Sequence, residues 1–282
     1  MTNARELRRR IRTIRNIKRT VDALQKISAA RLARVRAATL GGRPYSDALI
    51  ALVSGLAASG RVSHPLFDVR EGKGYMLLAI GADRGMCGAY NANIMRAAAE
   101  FIATRHRKRL YFGTSGRRIR RFAPRTSARV TREILRHPRP LGDAAIADIA
   151  DTVTNAFLKH DAVRVYFLYT EFHSATGNRP VIRRILPIMP EPGPFAVERI
   201  YEPAPGEILN HLMPLYVRTA VRQAFLEADA SEHAARMVTM EQASVSARRM
   251  ISELTLVANR LRQSTITREL ADIVGTAEAL TS

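Results

Sequence analysis

The chain has 282 residues, 46% of them apolar, 6% aromatic and none tryptophan, so it can bury a core but favours narrow helical seams over broad aromatic packing. Its 45 lysines and arginines outnumber 25 acidic residues, giving a formal net charge of +20. This charge predicts an anionic partner: nucleic acid, an acidic protein surface or a membrane face. The single cysteine, Cys87, excludes an intramolecular disulfide and favours a reducing compartment.

No apolar run approaches the roughly 20 residues that a membrane-crossing helix needs, so we expect no transmembrane segment. The N-terminus is rich in arginine but has no apolar stretch, which argues against a secretory signal. A mitochondrial transit peptide is also unexpected, because such peptides are serine-rich and removed, whereas helical periodicity here begins almost at once.

The first predicted element is a helix from Arg5 to about Ser59. Its apolar and small residues recur at steps of three and four, the spacing of a coiled-coil seam. The predicted seam is Ile14, Ile17, Val21, Leu24, Ser28, Arg31 and Val35. We expect a kink or an irregular turn at Pro44, since proline lacks the amide donor that a helix interior uses.

Between residues 60 and 205 the heptads give way to short apolar runs bounded by Gly and Pro. Strands are predicted at 75–80, 110–112, 163–169 and 181–188, and helices at 91–103 and 143–158, the latter with Asp143 as N-cap. Strands that alternate with helices predict an α/β unit with a largely parallel sheet. The stretch from Pro187 to Pro205 holds six prolines and is predicted to be a loop or extended connector.

The last predicted element is a helix from about Ile208 to Ile273, with no Pro after Pro214 and no Gly before Gly275. Its predicted seam is Met240, Ala243, Ala247, Met250, Leu254, Val257 and Leu261. Such a helix is roughly 100 Å long at about 1.5 Å per residue, which is too long for its own domain, so it needs a helical partner.

The only other long heptad-bearing segment is the N-terminal one. We therefore predict an α/β protein, in which a long antiparallel coiled coil of N- and C-terminal helices carries an inserted Rossmann-like α/β domain. The predicted segments are residues 1–59 for the N-terminal helix, 60–205 for the inserted α/β domain and 206–282 for the C-terminal helix.

Two glycine-rich turns lie where phosphate-binding loops occur, between a strand and a helix. The first is Gly81–Gly88 and the second is Gly113–Arg117. Neither matches GxxxxGK[ST] or GxGxxG, so nucleotide binding and a tight turn that needs glycine both remain open, with the turn favoured. A structural thiol is favoured over a nucleophile for Cys87, and the seven histidines lack metal-ligand spacing. We predict no catalytic, cofactor-binding or metal-binding residue.

The run from Arg105 to Arg139 carries thirteen basic residues and one acidic residue. Its few aromatic residues disfavour stacking on single-stranded nucleic acid. A solvated basic face, an acidic protein partner and anionic lipid headgroups remain the three interpretations. At the level of the whole chain, a basic helical nucleic-acid-binding protein stays the alternative function, although no groove-reading motif supports it.

Four short motifs, in order along nearly the whole chain, resemble the gamma subunit of F-type ATP synthases, the central rotor shaft. They are Ile27–Arg31 with Arg43–Tyr45; Asp83–Gly88 with Asn91 and Asn93; Tyr201–Pro203; and Glu232–Val238 with Arg262, Gln263, Ile266, Thr267, Glu269, Leu270 and Ile273–Gly275. The resemblance implies a coiled coil inside the hexamer of alpha and beta subunits, and a foot beside the epsilon subunit on the membrane c-ring. It also implies a non-catalytic, torque-transmitting role at the cytoplasmic face of a bacterial plasma membrane, with no cofactor.

The resemblance implies two contact groups. Arg262 and Gln263 match a pair that touches an acidic loop of a beta subunit, and the planar fork of arginine suits a carboxylate. Tyr201 and Glu202 match a turn that lies against the rotor ring. Exposed polar residues on a solvated helix and a solvated loop are the respective alternatives.

The chain departs from the family pattern at several positions. The stretch from Met240 to Ala247 lacks the usual Lys and Asp-Asn-Ala, Ala258 stands where a Tyr is common, and the Arg105–Arg139 run is unusually basic. No cysteine pair is present for the thiol switch of chloroplast members. These departures indicate a divergent bacterial member of a primary or a second ATPase set.

Overall fold

A computed structural model describes residues 4–58, 63–72, 74–105, 109–122, 129–135, 140–189 and 202–281. The chain forms two compact units. The smaller consists of Met1–Ile27 with Met237–Ser282, and the larger of Ser28–Arg236. The three-segment division of the sequence stays a prediction.

The helices are α1 (Ala4–Ala58), α2 (Tyr90–Ala103), α3 (Arg117–Phe122), α4 (Asp143–Leu158) and α5 (Pro205–Thr281), and a short 3-10 turn spans Pro65–Phe67. The strands are β1 (Gly74–Ile80), β2 (Arg109–Ser115), β3 (Arg129–Leu135), β4 (Arg164–Glu171) and β5 (Arg179–Leu186). Within the described ranges, no helix is both long and apolar enough to span a bilayer.

The five strands form one sheet in the order β3-β2-β1-β4-β5. The first four are parallel and β5 runs antiparallel to β4, so the prediction of a largely parallel sheet is confirmed. Alternate residues of the central strand β1 enter two different cores, as its pleat requires. Met76, Leu78 and Ile80 pack with α1, α4 and α5, whereas Tyr75, Leu77 and Ala79 pack with α2 and α3.

In the smaller unit, the ends of α1 and α5 pair as the predicted antiparallel coiled coil. Leu7 and Ile11 of α1 are buried, as are Met240 and Ala247 of α5. Across the pair, the hydroxyl of Ser244 donates a 2.6 Å hydrogen bond to Asp22.

The position of the seam differs from the prediction at several residues. Met250 and Val257 are 52% and 48% exposed, and the half-buried Ile251 and Ala258 lie on the seam instead. Ile17 and Arg31 of the predicted α1 seam are also exposed. Met250 and Ile251 are both apolar, and so are Val257 and Ala258. Steps of three and four residues therefore fit either member of each pair, and packing against the partner helix decides which member lies on the seam.

Two predicted interruptions are absent. α1 continues through Pro44, so the predicted irregular turn is wrong, while the alternative of a kink stays a prediction. The neighbouring turn is held from α5, since Gln223 bonds to the carbonyl of Thr39 and Glu227 pairs with Arg43. These tertiary contacts offset the one amide donor that proline lacks.

The second wrong interruption is the predicted Gly113–Arg117 loop, because β2 extends to Ser115. Gly113 pairs with Leu78 on one side and with Arg132 on the other. Hydrogen-bond ladders on both sides override the low strand propensity of glycine. Only Gly116, with a φ of 100°, forms the turn.

Two further details correct the sequence analysis. The N-cap of α4 is Gly142 rather than Asp143, which lies in the first turn and pairs with Arg222 at 2.6 Å. A carboxylate in the first turn still suits the helix dipole. The basic run Arg105–Arg139 contains two elements that were not predicted, α3 and β3. The rest of that run lies partly outside the described residues.

Candidate functional site where the C-terminal helix packs on the sheet

The stretch of α5 from Ala224 to Glu232 is covered on all sides, because every residue in it is buried or half-buried. Small residues, among them Ala224, Ala228 and Ala230, allow neighbouring backbone to come close. The same stretch also buries the charged and polar residues Glu227, Asp229, Ser231 and Glu232. Such groups are costly to bury unless each has a hydrogen-bond partner.

Glu227 joins three parts of the larger unit. One of its carboxylate oxygens accepts hydrogen bonds from Nε and Nη2 of Arg43 at 3.0 and 2.8 Å, and from Gln223 at 2.9 Å. The other accepts the backbone N–H of Phe172, just beyond β4, at 2.8 Å. Arg43 in turn donates to the carbonyl of Phe172 at 2.7 Å. The Glu227 side chain is 4% exposed and that of Arg43 37%, so the pair is strongly but not wholly desolvated.

One turn further along α5, two neutral hydrogen bonds reach the sheet domain. The hydroxyl of Ser231 donates to the carbonyl of Thr170 at 3.0 Å. The hydroxyl of Tyr90, at the start of α2, donates to the carbonyl of Ala228 at 3.1 Å. Both bonds are buried, where a lost partner is more costly than at the surface.

Arg236 holds the first glycine-rich turn. Its guanidinium pairs with Glu232 at 2.7 Å and donates to the carbonyl of Gly85 at 3.4 Å. Both side chains of this pair are about nine-tenths buried, at 9% and 10% exposure. The turn that resembled a phosphate loop therefore packs against α5.

The polar groups of that turn are also bonded within the chain. Asn91 accepts the backbone N–H of Ala82 at 3.0 Å and donates to the sulfur of Cys87 at 3.3 Å. The carboxylate of Asp83 accepts the backbone N–H of Arg117 at 3.0 Å. Burial raises the pKa of the Cys87 thiol, which keeps it protonated and poorly nucleophilic at neutral pH. The arrangement favours the tight-turn interpretation over nucleotide binding.

We name the contacts of four α5 residues with α1 and the sheet domain the helix fastening. The α5 residues are Glu227, Ala228, Ser231 and Arg236, and their partners are Arg43, Gly85, Tyr90, Thr170 and Phe172. Glu232 supports the fastening by pairing with Arg236 on the same helix. The fastening contains no arrangement of nucleophile and base. In the part of the chain that the structure describes, no group of three or more His, Cys, Asp or Glu is placed to hold a metal ion.

The two groups of residues predicted to make subunit contacts are separated in sequence and lie on different elements. Arg262 and Gln263 are exposed on α5, within the smaller unit. Glu202 is exposed in the bend before α5, and Tyr201 lies outside the described residues. None of the described three belongs to the helix fastening.

Sequence reasoning missed Glu227, Ser231 and Tyr90. It noted Arg43, Glu232 and Arg236 only as members of family motifs, without their contacts. The available signal was two acidic residues, Glu227 and Asp229, within an otherwise small or apolar stretch from Ala224 to Ser231. A carboxylate there predicts a buried partner, because charged side chains are rarely buried unless paired. Which cation pairs with it is not visible locally, since Arg43 is 184 positions away.

The fold and the fastening together define a class of protein. It is a two-helix coiled coil with an inserted α/β domain that is held to both long helices by buried polar contacts. A family model described as ATP synthase matches residues 3–280. The chain belongs to the ATP synthase gamma-chain family.

Individual relatives agree with this assignment. The chain is 36% identical to the ATP synthase gamma chain of Pelotomaculum thermopropionicum, over 99% of this chain and 100% of the relative. It is 38% identical to that of Dehalococcoides mccartyi strain CBDB1, over the same shares of both chains.

Solved structures agree in fold. The rotor of Euglena gracilis mitochondrial ATP synthase superposes with a TM-score of 0.65 at 15% identity, covering 93% of this chain and 98% of that one. The central stalk and c-ring structure from Tetrahymena thermophila mitochondrial ATP synthase gives 0.58 at 21% identity, covering 80% and 99%. At these identities the likeness concerns the fold alone.

Proposed function

We propose that this chain is the central-stalk rotor subunit of a rotary F-type ATP synthase. In this role it transmits torque between transmembrane ion flow and the catalytic head of alpha and beta subunits. The observation that carries the proposal is its identity of 36–38% with ATP synthase gamma chains over essentially its whole length. The shared fold with solved rotors and central stalks supports it.

The partners follow from that role: the alpha and beta subunits around the coiled coil, and the epsilon subunit and membrane c-ring at the α/β domain. The similar structures include a central stalk with a c-ring, and an assembly of OSCP, F1 and c-ring. The chain itself performs no bond chemistry. Its place is peripheral, at the cytoplasmic face of a bacterial plasma membrane.

The transported ion is a proton or a sodium ion, and the membrane ring rather than the stalk makes that choice. Neither the stalk's charge nor its fold bears on this selection, because ion-binding side chains belong to the membrane sector. Sequencing the neighbouring genes for a ring subunit and identifying its ion-binding residues would distinguish the two ions.

Two contact groups belong to the proposal. Arg262 and Gln263 are the contact with an acidic loop of a beta subunit, and their exposure on α5 leaves them accessible to a partner. Tyr201 and Glu202 are the contact with the rotor ring, and Glu202 is likewise exposed. An exposed arginine can pair with a carboxylate in two-point fashion, which lysine cannot reproduce.

The alternative of a nucleic-acid-binding protein receives no support from the family assignment or from the structural likenesses. The simplest test of this alternative is to measure binding of the chain to nucleic acid at increasing salt concentration. Phosphate-driven binding weakens steeply as salt rises, so binding that persists at high salt would oppose it.

The rotor proposal is tested by reconstitution. Head complexes of the source's own alpha and beta subunits are prepared without a gamma subunit. This chain is added together with the epsilon subunit and vesicles that hold the membrane sector and its c-ring. We expect the chain alone to hydrolyse no ATP, and the completed enzyme to regain ATP-driven ion pumping. Failure to associate with the alpha and beta subunits refutes the proposal.

A further inference from the structure

We propose that the helix fastening is the torque-bearing joint between the sheet domain and α5, with Glu227 as its main positioning residue. This inference rests on the proposed rotor function. It goes beyond that function because it assigns the resistance to twisting to named side chains, and not to the long helices in general.

The angular spread of the fastening is the first argument. Successive residues of an α-helix are about 100° apart around its axis. The four residues that contact other elements, Glu227, Ser231, Ala228 and Arg236, therefore lie at about 0°, 40°, 100° and 180°. Contacts that cover half of the circumference resist rotation in either direction, whereas a single apolar stripe permits the helix to roll.

The direction of the contacts is the second argument. Apolar packing is non-directional, so buried Ala and Val side chains hold α5 on the sheet without fixing its rotation. Hydrogen bonds weaken steeply once their angle falls away from linear. The bonds of Glu227 with Arg43 and Phe172, at 2.8–3.0 Å, are charge-assisted and lie on opposite oxygens of one carboxylate. Rolling the helix changes the lengths and angles of these bonds and so weakens them.

The third argument is the choice of groups that are fastened. Phe172 follows the end of β4, Thr170 lies in β4, and Gly85 follows β1. These are the two adjacent parallel strands at the centre of the sheet. Arg43 adds α1, so one carboxylate ties both long helices and the sheet together. A force applied to the sheet domain reaches both helices through this joint.

The test is ATP-driven pumping by the assembled enzyme in vesicles, against a membrane potential of increasing size set by a potassium gradient and valinomycin. The variant is Glu227→Gln, which keeps the side-chain shape. Its amide nitrogen cannot accept a hydrogen bond, so the bonds from Arg43 and from Phe172 cannot both be kept. We expect normal assembly and near-normal hydrolysis at zero potential, and a several-fold fall in ions pumped per ATP as the opposing potential rises.

The control variant is Ile102→Ala, in the second core and at the far end of α2 from Tyr90. This substitution weakens the same unit without changing a residue of the fastening. If Glu227 has a purely structural role, both variants should show the same fall in ions pumped per ATP as the opposing potential rises. Glu227→Asp should restore part of the coupling, because it keeps the charge with a shorter reach.

Two outcomes separate this inference from the function on which it rests. Failure of the unmodified chain to restore pumping overturns the rotor function itself. If the wild-type chain restores pumping, and Glu227→Gln pumps as many ions per ATP as the wild type at every opposing potential, only the inference about the joint is overturned. If Glu227→Gln does not assemble, Ser231→Ala and Tyr90→Phe are tested instead, since each removes one neutral hydrogen bond of the fastening. If both variants pump as many ions per ATP as the wild type at every opposing potential, the inference is refuted.

Discussion

The hydroxyl of Ser244 on α5 donates a 2.6 Å hydrogen bond to the carboxylate of Asp22 on α1, across the paired helices of the smaller unit. The other oxygen of Asp22 pairs with Lys18 at 2.5 Å. The hydrogen bonds from Lys18 and Ser244 lower the pKa of Asp22 below its ordinary value. A polar contact thus occupies the seam where most coiled coils place an apolar residue.

Asp22 should make the pairing of the two helices sensitive to acid. Its pKa is lower in the folded chain than in the unfolded one, so its stabilising contribution is complete above the unfolded pKa of about 3.9. The contribution is lost as the pH falls through the folded pKa. Denaturant unfolding followed by circular dichroism across the acid range should show this loss in the wild-type chain. In Asp22→Asn the corresponding part of the pH dependence should disappear, and an unchanged profile would contradict the assignment.

Removing the buried carboxylate of the fastening should destabilise the larger unit. Glu227→Ala removes the carboxylate partner of Arg43 and leaves the amide of Phe172 without its acceptor, and we expect a loss of about 3 kcal/mol in the free energy of unfolding. The matched control is Glu253→Ala, which breaks an exposed pair with Arg249 on the same helix. That change should stay within about 0.5 kcal/mol. Equal effects of the two substitutions would contradict a structural role for the buried pair.

Much of the fold was predictable because its signals are local. The apolar run of β1, the amphipathic pattern of α4 and the long heptad segments each specify an element without reference to the rest of the chain. The position of the α5 seam was not predictable, because Met250 and Ile251 are both apolar and only packing against the partner helix distinguishes them. β3 was missed because its charged residues, Arg129, Arg132 and Glu133, obscure a weak alternation.

The fastening was the least predictable feature. Glu227 and Arg43 meet only after the chain has folded. Glu227 lies in none of the motifs, and the motif that contains Arg43 does not indicate its partner. The glycine-rich turn was visible in the sequence, but its purpose was not. Its partner, Arg236, lies on α5, 151 positions further along the chain.

Two glycines of the larger unit should respond in opposite ways to alanine. A Cβ at Gly116, where φ is 100°, would lie 2.3 Å from the carbonyl oxygen of Gly81. Gly116→Ala should therefore cost at least about 2 kcal/mol, from backbone strain and overlap with a rigid neighbour. Gly55→Ala, within α1 and with nothing inside 4 Å of its Cβ, should stabilise by about 0.5–1 kcal/mol. Thermal unfolding of both variants checks the pair, and a stabilised Gly116→Ala would refute the strained turn.

The proposed contact with a beta subunit gives a prediction that separates function from folding. Arg262→Ala should slow the turnover of the assembled enzyme several-fold, since the acidic loop of the beta subunit loses its two-point partner. The isolated chain should unfold at the same temperature as the wild type, because Arg262 is exposed. Arg262→Lys should recover only part of the loss.

The matched control for that contact is Arg260→Ala, an exposed arginine two residues earlier and on another face of α5. Turnover should be unaffected by this substitution. If Arg262→Ala leaves turnover unchanged, or if both variants slow it equally, the assignment of the contact to Arg262 is wrong.

The most direct measurement is rotation of this chain inside a single catalytic head. The alpha and beta subunits are fixed to a surface, and a bead is attached to the sheet domain through Arg184→Cys, an exposed position on β5. Cys87 is buried and should not compete for the label. On addition of ATP, a rotor subunit predicts continuous rotation of the bead in one direction, stopping when ATP is exhausted. A bead that stays fixed or only fluctuates, on heads that bind the chain and hydrolyse ATP, would contradict it.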